Sequence, residues 1–137
     1  MRRFLVGLCL FFFVGTTWEV GAWDKIDYQR LMAIKKCVKC DLTAAYLSGA
    51  SLVSAYLSGA SLVSTNLSGA DLSGADLTEA YLFYTNLSAA DLSGANLSGA
   101  DLNEVNLSAA DLEGANLTET KMCETKMPNG TINNSGC

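Results

Sequence analysis

Leucine recurs at every fifth position from Leu42 to Leu117 without a miss, and Met122, Met127 and Ile132 continue the register. Two residues before each Leu stands Ala or Thr, except at Cys40 and Val105. No single regular element buries such a column. In an α-helix five residues turn about 500°, which spreads successive Leu over every face. In a flat strand the side-chain period is two, so an odd spacing sends alternate Leu to opposite faces. A chain that turns a corner of roughly ninety degrees every five residues points every Leu inward, with the small residue beside it. Four such blocks close a square coil, and coils stack at about the 4.8 Å strand spacing. Residues 40–129 hold eighteen blocks, four and a half coils, in a rod roughly 22 Å long.

The unit Ala-(Asp/Asn)-Leu-x-x, as in Ala70-Asp71-Leu72-Ser73-Gly74 and Ala95-Asn96-Leu97-Ser98-Gly99, resembles the pentapeptide-repeat family across residues 40–127. The resemblance implies an all-β fold, a right-handed quadrilateral β-helix. It implies no shared catalytic site. Some members of that family mimic DNA and inhibit topoisomerases.

The ends depart from the repeat. Residues 1–22 read as a signal peptide: Arg2 and Arg3 precede an uncharged apolar run over residues 4–15, and Val20-Gly21-Ala22 offers a cleavage site after Ala22. The apolar run is shorter than the ~20 residues that span a bilayer. A periplasmic or extracellular protein, without stable membrane insertion after cleavage, is therefore expected. The segment 23–36 reads as a capping helix over residues 27–36. Asp27 is its expected N-cap, Tyr28, Leu31 and Ile34 its apolar stripe, and Lys35 and Lys36 suit its C-terminal end. The β-helix is expected over residues 37–132 and a tail over 133–137, with Pro128-Asn129-Gly130 a turn signal.

With Cys9 in the leader, four cysteines remain, which allow three pairings in an oxidising compartment. Cys37 and Cys40 sit at one end of the rod, Cys123 and Cys137 at the other. A disulfide needs Cα atoms within about 7 Å, so the rod length selects Cys37–Cys40 and Cys123–Cys137 and rejects a four-Cys zinc site. A thiol redox role for Cys37-Val38-Lys39-Cys40 is a lower alternative, since the thioredoxin-like βαβ context is absent.

The chain has no His, which removes the commonest general base, and it shows no Gly-rich phosphate loop. No catalytic site, metal or cofactor is expected, nor a groove on so packed a rod. The formal net charge is −5, and between Asp41 and Thr120 there is no Lys or Arg, which disfavours nucleic acid as a partner. Residues twenty apart share a face. One face aligns Asp71, Asp91 and Asp111; a second carries Asp76, Glu79 and Glu119. A third carries Asn66, Asn86 and Asn106 with Ser48, Ser68, Ser88 and Ser108, expected to form side-chain ladders. The fourth carries Val63, Tyr81, Phe83 and Tyr84 with Asp101 and Glu104. The Asp column is a candidate for a basic partner, set against a merely solvated face. The aromatic cluster is a candidate interface, with a homodimer its first expected use. An exported structural or protein-interaction module is the leading expectation, its partner unidentified. The alternative is an acidic, DNA-mimic-like decoy for a basic partner.

Overall fold

Every block from Leu42 to Leu117 closes the same four-residue turn. The Ala45 amide donates to the Leu42 carbonyl at 3.0 Å, Ala75 to Leu72 at 3.0 Å and Ala100 to Leu97 at 2.9 Å. The residue two after each Leu must then take a left-handed backbone, as at Gly74 (φ 64°), Glu79 (φ 56°) and Tyr84 (φ 60°). Glycine adopts it freely; Glu79 and Tyr84 do so at a local cost of about 1–2 kcal/mol, offset by the ladder bonds around them. The computed structural model describes residues 23–137, so the leader and its cleavage point lie outside the described residues.

Four turns complete a coil. Residue i bridges residue i+20 in parallel from Lys36↔Tyr56 to Asn106↔Lys126. Each corner makes three bonds to the next coil, as in Leu72 N–H to Asp91 O (2.7 Å), Gly74 N–H to Ser93 O (2.8 Å) and Asp91 N–H to Ala70 O (2.9 Å). Every Leu from Leu42 to Leu107 is buried, with the intervening Ala residues packed among them.

One column of the core is polar. Thr65, Thr85 and Thr125 occupy the small-residue slot, fully buried. Their hydroxyls donate to the carbonyls of Leu42, Leu62 and Leu102 at 2.8, 2.6 and 2.7 Å, tying each coil to the one before. Val105 fills the equivalent slot without a hydroxyl. Thr85→Val should lower the denaturation midpoint by the equivalent of about 1 kcal/mol, the net worth of one hydrogen bond. An unchanged midpoint would remove this column from the account of stability.

The helix α1 spans Lys25–Ile34, two residues earlier than the sequence reading. Its N-cap is Asp24, whose carboxylate accepts from the Ile26 and Asp27 amides at 2.7 and 3.2 Å. Asp27 instead staples the helix to the first coil: Oδ2 accepts from the Asp41 amide at 3.0 Å and Oδ1 pairs with Arg30 at 3.1 Å. Of the expected stripe only Leu31 is fully buried, Tyr28 is half-buried against the core beside Trp23, and Ile34 is exposed. Lys35 is the left-handed C-cap rather than part of the last turn. The lid is effective: Leu42, Leu47 and Leu52 in the first coil are as buried as Leu in the middle of the rod.

The other end closes differently. Strands β1 (Thr125–Lys126) and β2 (Ile132–Asn133) form an antiparallel hairpin around the expected turn, closed by Gly130 N–H to Met127 O at 2.9 Å. Met122 keeps the Leu slot and Met127 partly does. Ile132 does not: the hairpin has reversed the chain and leaves it exposed. The coil register therefore stops before residue 132. Asn134 then accepts the Glu124 amide at 2.8 Å, and Gly136 N–H donates to Met122 O at 2.8 Å.

Candidate protein-interaction surface

The residue before each Leu points outward, and in most blocks its side chain is engaged at once. Asp71 Oδ1 accepts the Ser73 amide and hydroxyl at 3.1 and 2.7 Å, and Asp91 Oδ1 accepts those of Ser93 at 2.9 and 2.6 Å. Asp111 accepts the Glu113 amide at 2.9 Å. Asn66 and Asn106 bind Ser68 and Ser108 in the same way. These are Asx turns, in which a short side-chain carbonyl locks the backbone two residues on. The expected Asn ladder is therefore not formed: the Oδ1 of each Asn accepts within its own block instead of from the Asn of the next coil. Ser48 and Ser68 alone in that face show the hydroxyl-to-hydroxyl step, at 3.0 Å.

The Asp column is real: Asp71 bridges Asp91 and Asp91 bridges Asp111. The Asp91 carboxyl nevertheless sits below the ordinary value, because the Ser93 hydroxyl and then the Ser93 amide donate to it. Hydrogen bonds to the charged form outweigh the desolvation that opposes them. A depressed folded-state pKa means that this stabilisation is complete above the unfolded carboxylate pKa and is lost as pH falls through the folded value.

On the aromatic face, Tyr81 and Tyr84 are exposed and Phe83 is half-buried, with the Phe83 and Tyr84 rings 4.1 Å apart between centroids. The Tyr84 phenol is raised above its usual 10.0, first by hydrogen bonding to Glu104 and then by that carboxylate's charge. A raised folded-state pKa places the contribution of this contact wholly below the unfolded pKa, and it is lost as pH rises through the folded value. In an alkaline absorbance titration one of the five tyrosines should therefore ionise late, and Glu104→Ala should bring it back towards the others. Superimposable titrations of the two proteins would contradict this assignment.

Tyr81 also walls a cleft of about 350 Å³ lined by Glu79, Ala80, Gly99, Asp101, Glu119 and Lys121. The expectation of an ungrooved rod is thus corrected. Gly99 stands between Glu79 and Glu119 in one column and leaves a notch where every neighbouring coil has a side chain. Reading face by face hid it, because it lies where the second and fourth faces meet.

The cysteines pair as Cys37–Cys40 and Cys123–Cys137, with Cα separations of 5.2 and 4.8 Å. Asp27 lies with Cys37 and Cys40 in the one cluster among the described residues that has metal-ligand spacing. Both sulfurs are committed to the disulfide and the carboxylate to Arg30 and Asp41, so the cluster is a structural clasp. Among the described residues no helix is long and apolar enough to cross a membrane.

This architecture of twenty-residue coils, turned every five residues around a Leu column, defines a four-sided β-helical solenoid. The family model for pentapeptide repeats matches eight copies over residues 40–79 and 85–122, and the chain belongs to the pentapeptide-repeat family. Members of that family form right-handed quadrilateral β-helices. Among solved structures the chain is similar to HetL, a pentapeptide repeat protein involved in heterocyst differentiation regulation from Nostoc sp. strain PCC 7120, at 31% identity over 72% of this chain with TM-score 0.43. It spans about half of HetL's length, 51%. It is similar to Rfr23 from the cyanobacterium Cyanothece 51142 at 26% identity, over 75% of this chain and 95% of that one, with TM-score 0.44. A pentapeptide repeat protein of the Arabidopsis thaliana thylakoid lumen aligns at 26% identity over 72% of this chain and 70% of that one, with TM-score 0.38. No curated protein sequence matches the chain.

Proposed function

We propose that this chain is an exported, non-enzymatic module that holds a protein partner against its outer faces. The observation that carries the reading is the block at residues 80–84, which falls between the two segments matched by the family model. Leu82 is fully buried there, as is every Leu from Leu42 to Leu107, so the fold does not need the aromatics around it. Tyr81, Phe83 and Tyr84 instead gather on one stretch of surface beside the acidic cleft, whereas the rod's other exposed tyrosines, Tyr46 and Tyr56, stand singly in other columns. Aromatic side chains gathered on one such surface are the usual energetic centre of an interface. The Asp71, Asp91 and Asp111 column supplies a second, purely electrostatic face.

The test is affinity capture from the periplasm or medium of the producing cells, with wild type and two variants. Asp71→Asn, Asp91→Asn and Asp111→Asn together keep the Asx turns, since Asn makes the same turn at Asn66 and Asn106. Tyr81→Ser, Phe83→Ser and Tyr84→Gly remove the aromatic face and leave the Leu column intact. Wild type should retain a partner that the aromatic variant loses. Identical captures by all three proteins would sink the reading. The decoy alternative rests on the absence of basic residues between Asp41 and Thr120, and loss of capture confined to the Asp variant would favour it. Export is checked on its own by determining the N-terminal residue of the cellular protein, expected at Trp23.

A further inference from the structure

Among the described residues, the last coil is closed on only two of its four sides. The hairpin and tail cover the corners at Met122 and Thr125, both buried. The corners at Leu112 and Leu117 are left open: Leu112, Ala115 and Leu117 are half-buried, while Leu92 and Leu97 directly beneath are fully buried. One coil earlier, this half-coil makes six backbone bonds to its successor. Leu92, Gly94, Leu97 and Gly99 donate to Asp111, Glu113, Asn116 and Thr118, and Ala90 and Ala95 accept from Asp111 and Asn116, all at 2.8–2.9 Å. The equivalent groups of the last coil are the N–H of Leu112, Gly114, Leu117 and Glu119 and the C=O of Ala110 and Ala115. None has a partner among the described residues.

We propose that this open edge docks an extended segment of a partner protein, in parallel, as one more half-coil. The proposal rests on the interaction-module reading and gives it a site. Two features define the occupant. To follow both open sides it must turn the corner between Leu112 and Leu117, so it needs apolar residues five apart, each preceded by a small residue at the second position before it. The rim carries Asp111, Glu113 and Glu119, all exposed, so the outward position before each apolar residue is Lys or Arg. A second copy of this chain fits poorly on both counts. Pairing the edge with itself opposes four donors to two acceptors and brings the same three carboxylates face to face. Strand addition of this kind draws affinity from main-chain bonds and specificity from alternate side chains.

The probe is a synthetic peptide with two Ala-Lys-Leu-Ser-Gly units, added to the 15N-labelled 137-residue chain. Saturable binding should shift the amides of Leu112, Gly114, Leu117 and Glu119 and slow their hydrogen exchange, leaving those of the Asp71 and Asp91 faces unmoved. N-methylation of both peptide Lys amides removes the donors to Ala110 O and Ala115 O and should weaken binding roughly tenfold or more. A peptide with Glu for Lys should not bind. Equal binding of the N-methylated peptide, or shifts spread along the Asp column, would reduce the effect to charge attraction and overturn the proposal. Protection of the same four amides by self-association of the free protein would overturn it in favour of a second copy. Absence of peptide binding beside partner capture that depends on Tyr81, Phe83 and Tyr84 would remove the edge site while leaving the interaction module standing.

Discussion

Leu77→Ala is expected to cost about 3–5 kcal/mol, while Leu117→Ala should cost less than half as much. Leu77 is fully buried in mid-rod, with Leu57 below and Leu97 above it in the same column. Removing it leaves a void lined by neighbours held at the coil spacing by three backbone bonds per corner, so the cavity cannot collapse. Leu117 has a coil on one side only and is half-exposed on the other, so truncation there opens a dent to water rather than a cavity. Chemical denaturation of both variants gives the two costs directly. In a solenoid each coil is stabilised by its neighbours, so the Leu77 variant should also broaden the transition as the two halves uncouple. Equal costs would mean that the Leu112–Leu117 corners are covered, which would also remove the open edge on which strand docking depends.

That contrast marks what the sequence could and could not tell. A period of five is a statement about which side chains point inward, and it holds wherever a coil has a neighbour above and below. The Leu column, the Ala packing, the grouping of faces and the disulfide pairing all follow from it, because each depends only on position along a regular rod. The ends obey no period. Asp24 outcompetes Asp27 as N-cap because Asp27 is recruited by the Asp41 amide, a contact fourteen residues away. Ile132 keeps the spacing of five yet leaves the core, because Pro128-Asn129-Gly130 reverses the chain before it arrives.

Within the repeat, the misreadings concern short-range competition. Asn at position 66 or 106 can bond along its column or within its block, and a partner two residues away is nearer than one twenty away. The Thr column was legible as small residues but not as hydroxyl ties, since Ala, Thr and Val fit the same slot. The cleft needed two faces to be seen together. The open edge left no mark in the repeat, because Leu112 and Leu117 keep both the spacing and the residue type of the buried positions.

Gly136→Ala should undo the far end. An alanine Cβ at this position would lie 2.6 Å from the Met122 nitrogen and 3.1 Å from its carbonyl oxygen. Both are backbone atoms of the last coil and neither can yield by a change of rotamer. The tail must lift, breaking the Gly136 N–H to Met122 O bond and carrying Cys137 away from Cys123. A disulfide that closes a loop of this size is worth about 3 kcal/mol in the chain-entropy account. The variant should therefore expose two free thiols after oxidative refolding, lose stability of about that size, and retain Cys37–Cys40. Gly130→Ala is the control. Gly130 has a left-handed backbone (φ 84°) but nothing within 4 Å of the added methyl, so its cost is limited to about 1–2 kcal/mol of backbone strain and both disulfides form. If Gly136→Ala oxidises fully and unfolds at the wild-type midpoint, the tail is not docked on Met122, and the asymmetry between a clasped half and an open half of the last coil is lost with it.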